Sequence, residues 1–214
     1  MITNSDNKIN PMFPIPFGFM HINDVSGLAE MVKKESYHRS SQDDGYISDN
    51  QNLLHDEKYK GTLDYLNIEL NNYLGEIGVN IDDFNFYITG SWATKHEKGD
   101  YAPQHDHRNS LISGCLYLET DEDSGTLNFV NRQDNIFPRG LDIPMSHWNP
   151  INAREVSFTP KSGDLYFFPS HLGHYVTKSE SDNTRYMIAF NSYIEGNFTN
   201  STSSLKLEKA DIYK

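Results

Sequence analysis

Read for hydrophobic periodicity, the chain divides into a short helical part and a longer strand-rich part. Residues 1–10 are polar and predict a disordered tail. Pro11-Met-Phe-Pro-Ile-Pro16 follows, whose prolines exclude a central strand, although Phe13, Ile15 and Phe17 can pack at a sheet edge. Asp24 or Ser26 can cap a short helix reaching about Tyr37, with Leu28, Met31 and Val32 on one face. Residues 38–57 are polar and predict a loop. A second helix is clearer. Leu63, Leu66, Leu70, Tyr73 and Leu74 recur at helical spacing between about Tyr59 and Gly75, and Gly75 or Gly78 can end it.

From Phe84 the period changes to two. The predicted strands are Phe84–Ile88, Tyr101–His107, Gly114–Glu119, Thr126–Val130, Glu155–Phe158, Asp164–Phe168, Tyr175–Thr177 and Arg185–Tyr193. Turn signals separate them at Lys98-Gly99-Asp100, Asp123-Ser124-Gly125, Ser162-Gly163-Asp164 and Ser181-Asp182-Asn183. Short strands at this spacing predict a mainly β jelly roll, with two or more N-terminal helices packed on the sheet. Residues 131–154, with Pro138, Pro144 and Pro150, read as one long loop, either a functional lid or disordered. Residues 11–197 form the expected single domain, and 198–214 a C-terminal tail in which Leu205–Lys214 predicts a loosely docked helix.

Composition narrows the picture further. A chain of 214 residues suits one domain with a sizeable core. The net charge of −12, with Lys and Arg scattered, argues against a nucleic-acid partner. No apolar run approaches the roughly 20 residues needed to span a bilayer, and Met1–Asn10 lacks the apolar stretch of a signal peptide. Cys115 is the only cysteine, so no intrachain disulfide can form, and a reducing, cytoplasmic setting is expected. The sequons at Asn197 and Asn200 are then chance matches. Nothing in the sequence reports an oligomeric state.

The candidate chemistry lies late in the chain, where His105, His107, His147, His171 and His174 fall. In Gln104-His105-Asp106-His107, alternation along a strand aims both histidines to one side and Asp106 to the other. Two imidazoles sharing one space suit a borderline divalent metal. Phe168-Pro-Ser-His171-Leu-Gly-His174 offers a third, His174, just before an apolar strand. Arg185 opens the next strand and shares a face with Met187, Ala189 and Asn191. An arginine on such a face needs an anionic partner, and its planar fork suits a carboxylate. Arg108 and Arg154 sit at predicted strand edges, so Arg185 is the only arginine inside a predicted core strand. Trp92 and Tyr101 flank the first histidine strand, and His147-Trp148 lies in the long loop. Cys115 reads as a small buried hydrophobe.

His105-Asp-His107, Ser113-Gly-Cys-Leu-Tyr117-Leu, Ser124-Gly-Thr-Leu-Asn-Phe129, Phe167-Phe-Pro-Ser170, His174-Tyr-Val176 and Arg185-Tyr-Met-Ile-Ala-Phe-Asn191 together resemble the iron and 2-oxoglutarate oxygenase superfamily. More narrowly, they are similar to a group common in marine phages and bacteria and related to prolyl hydroxylases. The resemblance covers roughly residues 85–195, the expected metal core. It implies a double-stranded β-helix in which His105, His107 and His174 bind Fe(II). It further implies that Arg185 holds the distal carboxylate of 2-oxoglutarate. Tyr117 reads either as a hydrogen-bond donor to the co-substrate or as a core aromatic, and Asn191 either as a contact to the co-substrate or a metal-bound water or as a structural amide. The implied reaction consumes O2 and hydroxylates a substrate, a prolyl or other protein side chain among the candidates, in the cytoplasm of a bacterium or phage-infected cell. His107 stands where the superfamily usually has a carboxylate. The alternative reading is a cupin-like three-histidine metal binder or a dioxygenase that does not use 2-oxoglutarate, and neither would need Arg185.

Overall fold

The structure, a computed structural model, describes residues 13–40, 45–82, 84–131, 144–149, 151–199 and 202–209. The tail expected over residues 1–10, most of the 131–154 loop and the last residues of the chain lie outside these. The elements are β1 (Gly18–His21), α1 (Ser26–Val32), β2 (Tyr37–Arg39), β3 (Tyr46–Ser48), α2 (Lys60–Glu76), β4 (Phe84–His96), β5 (Ala102–His105), β6 (Ile112–Glu119), β7 (Leu127–Val130), β8 (Glu155–Phe158), β9 (Asp164–Pro169), β10 (His174–Val176), β11 (Arg185–Thr199) and β12 (Ser204–Leu207). Two turns of 3-10 helix, Leu53–His55 and Glu57–Tyr59, lead into α2.

An eight-stranded sheet runs in the order β1-β9-β6-β11-β4-β3-β2, with β12 also paired to β11, and a four-stranded sheet runs β5-β10-β7-β8. The paired strands are all antiparallel. This is the double-stranded β-helix with helices on the back of the larger sheet. Two apolar clusters hold it together. Leu66, Leu70 and Leu74 of α2 pack with Ile88, Leu116, Phe167 and Ile188 on the outer face of the larger sheet. The second cluster fills the space between the sheets, with Cys115, Tyr117, Tyr166 and Phe168 from the larger and Ala102, Leu127, Phe129 and Val176 from the smaller. No helix among the described residues is long and apolar enough to cross a membrane.

Several boundaries differ from those expected, each for a visible reason. Helix α1 stops at Val32 because Tyr37–Arg39 pairs with β3. Residues 38–57, expected as loop, therefore contain β2, β3 and the 3-10 turns. Strand β4 is far longer than the predicted Phe84–Ile88 because both of its edges are satisfied. On one side it pairs with β11 throughout. On the other, α2 supplies side chains: Asn67 accepts from the Ile88 N–H (2.9 Å) and Asn71 donates to the Phe86 carbonyl (3.0 Å). The expected C-terminal helix is instead β12, whose Ser-Leu-Lys-Leu alternation pairs with an extended β11, so Phe198, Thr199 and Ser204–Leu207 are part of the sheet rather than a tail. Gly18–His21, just after the segment read as edge packing and given no element in the sequence reading, forms β1 beside β9. Of its approach, Phe17 stacks on Phe158 at 4.7 Å, whereas Phe13 and Ile15 are exposed.

Candidate metal and co-substrate site

The smaller sheet brings two distant histidines face to face. His105 is the last residue of β5 and His174 the first of β10, and they are direct antiparallel partners in register. Directly opposed residues have neighbouring side chains, and the two rings lie 4.4 Å apart between centroids. Strand β5 ends before His107, earlier than predicted, because the next residues turn away through Asn109, which has a positive φ of 55°. The backbone is still held, since the His107 N–H donates to the Ser170 carbonyl at 2.9 Å. The ring consequently keeps the direction that strand alternation requires, 5.2 Å from His105 and 5.1 Å from His174 between centroids. One nitrogen from each of His105, His107 and His174 lies within 4.8 Å of the other two. Asp106 is outside that group and ion-pairs with Arg108 at 3.2 Å.

The protonation of these rings suits metal binding. His105 Nδ1 meets the Pro103 carbonyl at 2.8 Å and His174 Nδ1 meets the Leu172 carbonyl at 2.9 Å. A carbonyl only accepts, so each Nδ1 carries the proton, and each Nε2 lone pair is left to face the shared space. Burial among the rings, then the neighbouring His174 and His105, pushes His107 down to about 3. Burial first and His105 second push His174 down to about 4. Both are neutral ligands at physiological pH. Phe168 at 4.9 Å and Phe129 at 5.9 Å wall off His174, and Trp92 lies 5.7 Å from His107.

Arg185 occupies the interior face of β11 and is almost fully buried. Its Nη1 donates to the Ser124 carbonyl at 2.9 Å, and its Nη2 to His96 Nδ1. The guanidinium lies 5.9 Å over the Tyr117 ring. Among the described residues no carboxylate pairs with it, and its Nε has no hydrogen-bond partner. The buried Tyr117 hydroxyl and Thr94 Oγ1 are also unpartnered. Thr94 and Tyr117 flank Met187 on the two neighbouring strands, one interior position along from Arg185. Desolvation lowers the pKa of the Arg185 guanidinium and raises that of the Tyr117 phenol, so the site disfavours charge of either sign unless a partner arrives. A buried cation beside two orphaned hydroxyls has the donors to receive a carboxylate. Asn191 is differently placed: its Oδ1 accepts from Ser113 at 2.7 Å, within a chain running on to Ser170 (2.8 Å) and Ser110 (2.7 Å). His171 and the His147-Trp148 pair are exposed.

Residues 90–191 match the family model described as "Putative 2OG-Fe(II) oxygenase". That segment is similar to the 2OG-Fe(II) oxygenase family. No curated protein matches the chain by sequence. Solved structures share the oxygenase fold. A Pseudomonas putida prolyl-4-hydroxylase is 16% identical with a TM-score of 0.54, covering 83% of this chain and 92% of its own. HygX from Streptomyces hygroscopicus, solved with nickel, 2-oxoglutarate and hygromycin B, is 10% identical with a TM-score of 0.56, covering 83% and 82%. The epimerase SnoN from nogalamycin biosynthesis is 11% identical with a TM-score of 0.59, covering 94% and 89%. The family's cofactors are Fe(II) and 2-oxoglutarate, and the residues present fit both: three imidazoles for a borderline metal, and a guanidinium with no carboxylate partner among the described residues for a carboxylate. His96, Ser124 and Thr94 are the residues that sequence reasoning missed. Continuing the alternation of β4 through Trp92 and Thr94 would have turned His96 inward, but only the register sets it opposite Arg185.

Proposed function

We propose that the chain is a 2-oxoglutarate-dependent hydroxylase acting in a reducing, cytoplasmic setting, with His105, His107 and His174 holding Fe(II) and Arg185 holding the distal carboxylate of 2-oxoglutarate. The observation that carries the reading is the buried Arg185, whose Nε is unpartnered beside an equally unpartnered Tyr117 hydroxyl. A cupin-like metal binder has no use for such a pair. When bound, Fe(II) and 2-oxoglutarate together activate O2 for attack on a substrate C–H bond, giving succinate and CO2 as co-products. The protein's own residues orient and exclude. Pro103 and Leu172 carbonyls fix the tautomers of His105 and His174. Tyr117 offers its hydroxyl beside the guanidinium, and Phe129 and Phe168 keep water from the histidines. Asn191, fixed through its Oδ1 by Ser113, keeps its amide N–H groups available to the co-substrate.

The test is titration of the Fe(II) protein with 2-oxoglutarate without O2, following the visible charge-transfer band. Wild type is expected to bind one iron and one 2-oxoglutarate per chain. Arg185→Leu is expected to keep iron and bind 2-oxoglutarate about ten- to a hundredfold more weakly, as the loss of a charge-assisted pair at ~1.4 kcal/mol per decade requires. A wild type that binds no 2-oxoglutarate, or an unaffected Arg185→Leu, would leave the three-histidine metal binder as the better account.

A further inference from the structure

We infer that His96 positions the Arg185 guanidinium, and does so as a neutral acceptor, so that the whole charge of Arg185 is left for the dicarboxylate. This rests on the 2-oxoglutarate reading above and concerns how that site is set.

The two residues are direct partners in the β11–β4 ladder. His96 is 3% exposed and Arg185 1%. A guanidinium can only donate, so the imidazole must accept at Nδ1 and carry its proton on Nε2. Burial, then the charge of Arg185, then that of Arg39, push His96 down to about 3, so the ring is neutral at physiological pH. The ring is also fixed from behind. A Cβ built on Gly45, before β3, would sit 2.5 Å from both Cδ2 and Nε2 of His96, so backbone presses directly on the imidazole edge.

The remaining surroundings of Arg185 are neutral as well. Ser124 contributes a carbonyl and Tyr117 a ring face. Among the described residues the one acid whose charge reaches it, Asp100, is already engaged by Arg39 at 2.8 Å and by the Glu97 N–H at 2.9 Å. A carboxylate at position 96 would form a tighter bond to Arg185 and thereby cancel the charge that an incoming dicarboxylate needs. A histidine supplies direction without neutralisation. The cost is a buried cation lacking a counter-ion, which a dicarboxylate relieves on binding.

Two acids separate positioning from general damage: 2-oxoglutarate, and 2-oxopentanoate, which carries a methyl group in place of the distal carboxylate. Each is titrated into the Fe(II)-loaded full chain without O2, for wild type, His96→Asn, His96→Phe and His96→Asp. Asparagine places an acceptor close to where Nδ1 lies and is expected to bind 2-oxoglutarate within about threefold of wild type. Phenylalanine removes the acceptor, and aspartate adds a competing charge. Both are expected to weaken 2-oxoglutarate at least about tenfold, ~1.4 kcal/mol, while leaving 2-oxopentanoate within about twofold. Should the buried aspartate prevent folding, the Phe and Asn pair carries the test alone. If wild type distinguishes the two acids and His96→Phe distinguishes them equally well, the His96 inference is overturned while the Arg185 reading stands. Proportional weakening of both acids overturns it too. A wild type that binds both acids equally overturns the Arg185 reading, and this inference with it.

Discussion

Arg185 ought to weaken the protein it serves. Its side chain is 1% exposed, its Nε is unpartnered, and it has no carboxylate partner among the described residues. Removing an ion of this kind from water costs several kcal/mol. Against that stand two hydrogen bonds, to the Ser124 carbonyl and to His96 Nδ1, each worth about 1.5–3 kcal/mol when one member is charged. Arg185→Met keeps the length and apolar bulk of the side chain, removes the charge, and leaves two acceptors unmatched at about 1 kcal/mol each. Hydrophobic replacement of buried charges elsewhere stabilises by about 1–4 kcal/mol. The expected net effect here is a gain of up to about 2 kcal/mol without 2-oxoglutarate, or up to roughly 8 °C in Tm for a chain this size. The assay is thermal unfolding at fixed protein and metal concentration, with and without 2-oxoglutarate. At a hundredfold excess over the wild-type Kd the ligand should raise the wild type by about 2.7 kcal/mol and a variant binding ten- to a hundredfold more weakly by only about 0.4–1.4 kcal/mol, so the gap closes or inverts. A variant that melts below wild type in the absence of ligand would show that the guanidinium is a structural anchor. One that keeps the full ligand shift would remove Arg185 from the co-substrate site.

Three further outcomes follow from the same geometry. Asp106→Asn should keep its iron, because Asp106 pairs with Arg108 outside the histidine group, whereas His107→Ala should lose iron on dialysis; metal analysis reversing that pattern would reassign the ligand. Tyr117→Phe should weaken 2-oxoglutarate by about two- to tenfold, the worth of one hydrogen bond, without lowering the Tm of the ligand-free protein, since its hydroxyl has no partner there. Hydrogen bonds from Ser181, then Asn183 and Ser124, hold the Asp121 carboxyl well below the usual carboxylate range. Its folded pKa is lower than its unfolded one, so its contribution is complete above about pH 5 and fades as the pH falls through the folded value. Asp121→Asn should therefore melt below wild type at neutral pH by a margin that shrinks in acid, and a margin independent of pH would contradict the assignment.

The strand-rich core was legible because alternation survives in the sequence wherever one face of a strand meets a core, as in Arg185-Met187-Ala189 and Cys115-Tyr117. The helix over Leu63–Leu74 was legible for the same reason at a different period. What misled were elements whose support comes from elsewhere. Strand β2 carries Arg39, so Arg185 is not the only arginine in a strand, and β2 and β3 exist because Tyr37–Arg39 and Tyr46–Ser48 pair with each other and with β4. Strand β12 exists because β11 extends far enough to receive it.

The candidate site divides in the same way. The sequence by itself named His105, His107 and His174, since ligand types at strand spacing and a distant third histidine are local facts, as is an arginine heading an apolar strand. It could not say that His107 would hold its direction after β5 had ended, because that depends on the Ser170 carbonyl some sixty residues later. Nor could it find His96, Ser124 and Thr94. Their role depends on which strands lie beside β11 and in what register, and register is set by the packing of two whole sheets rather than by any short segment. The charge state of the site is likewise a tertiary property. An arginine in a sequence is simply a cation; it is burial beside a neutral histidine, a carbonyl and a phenol ring that leaves Arg185 without a counter-ion among the described residues.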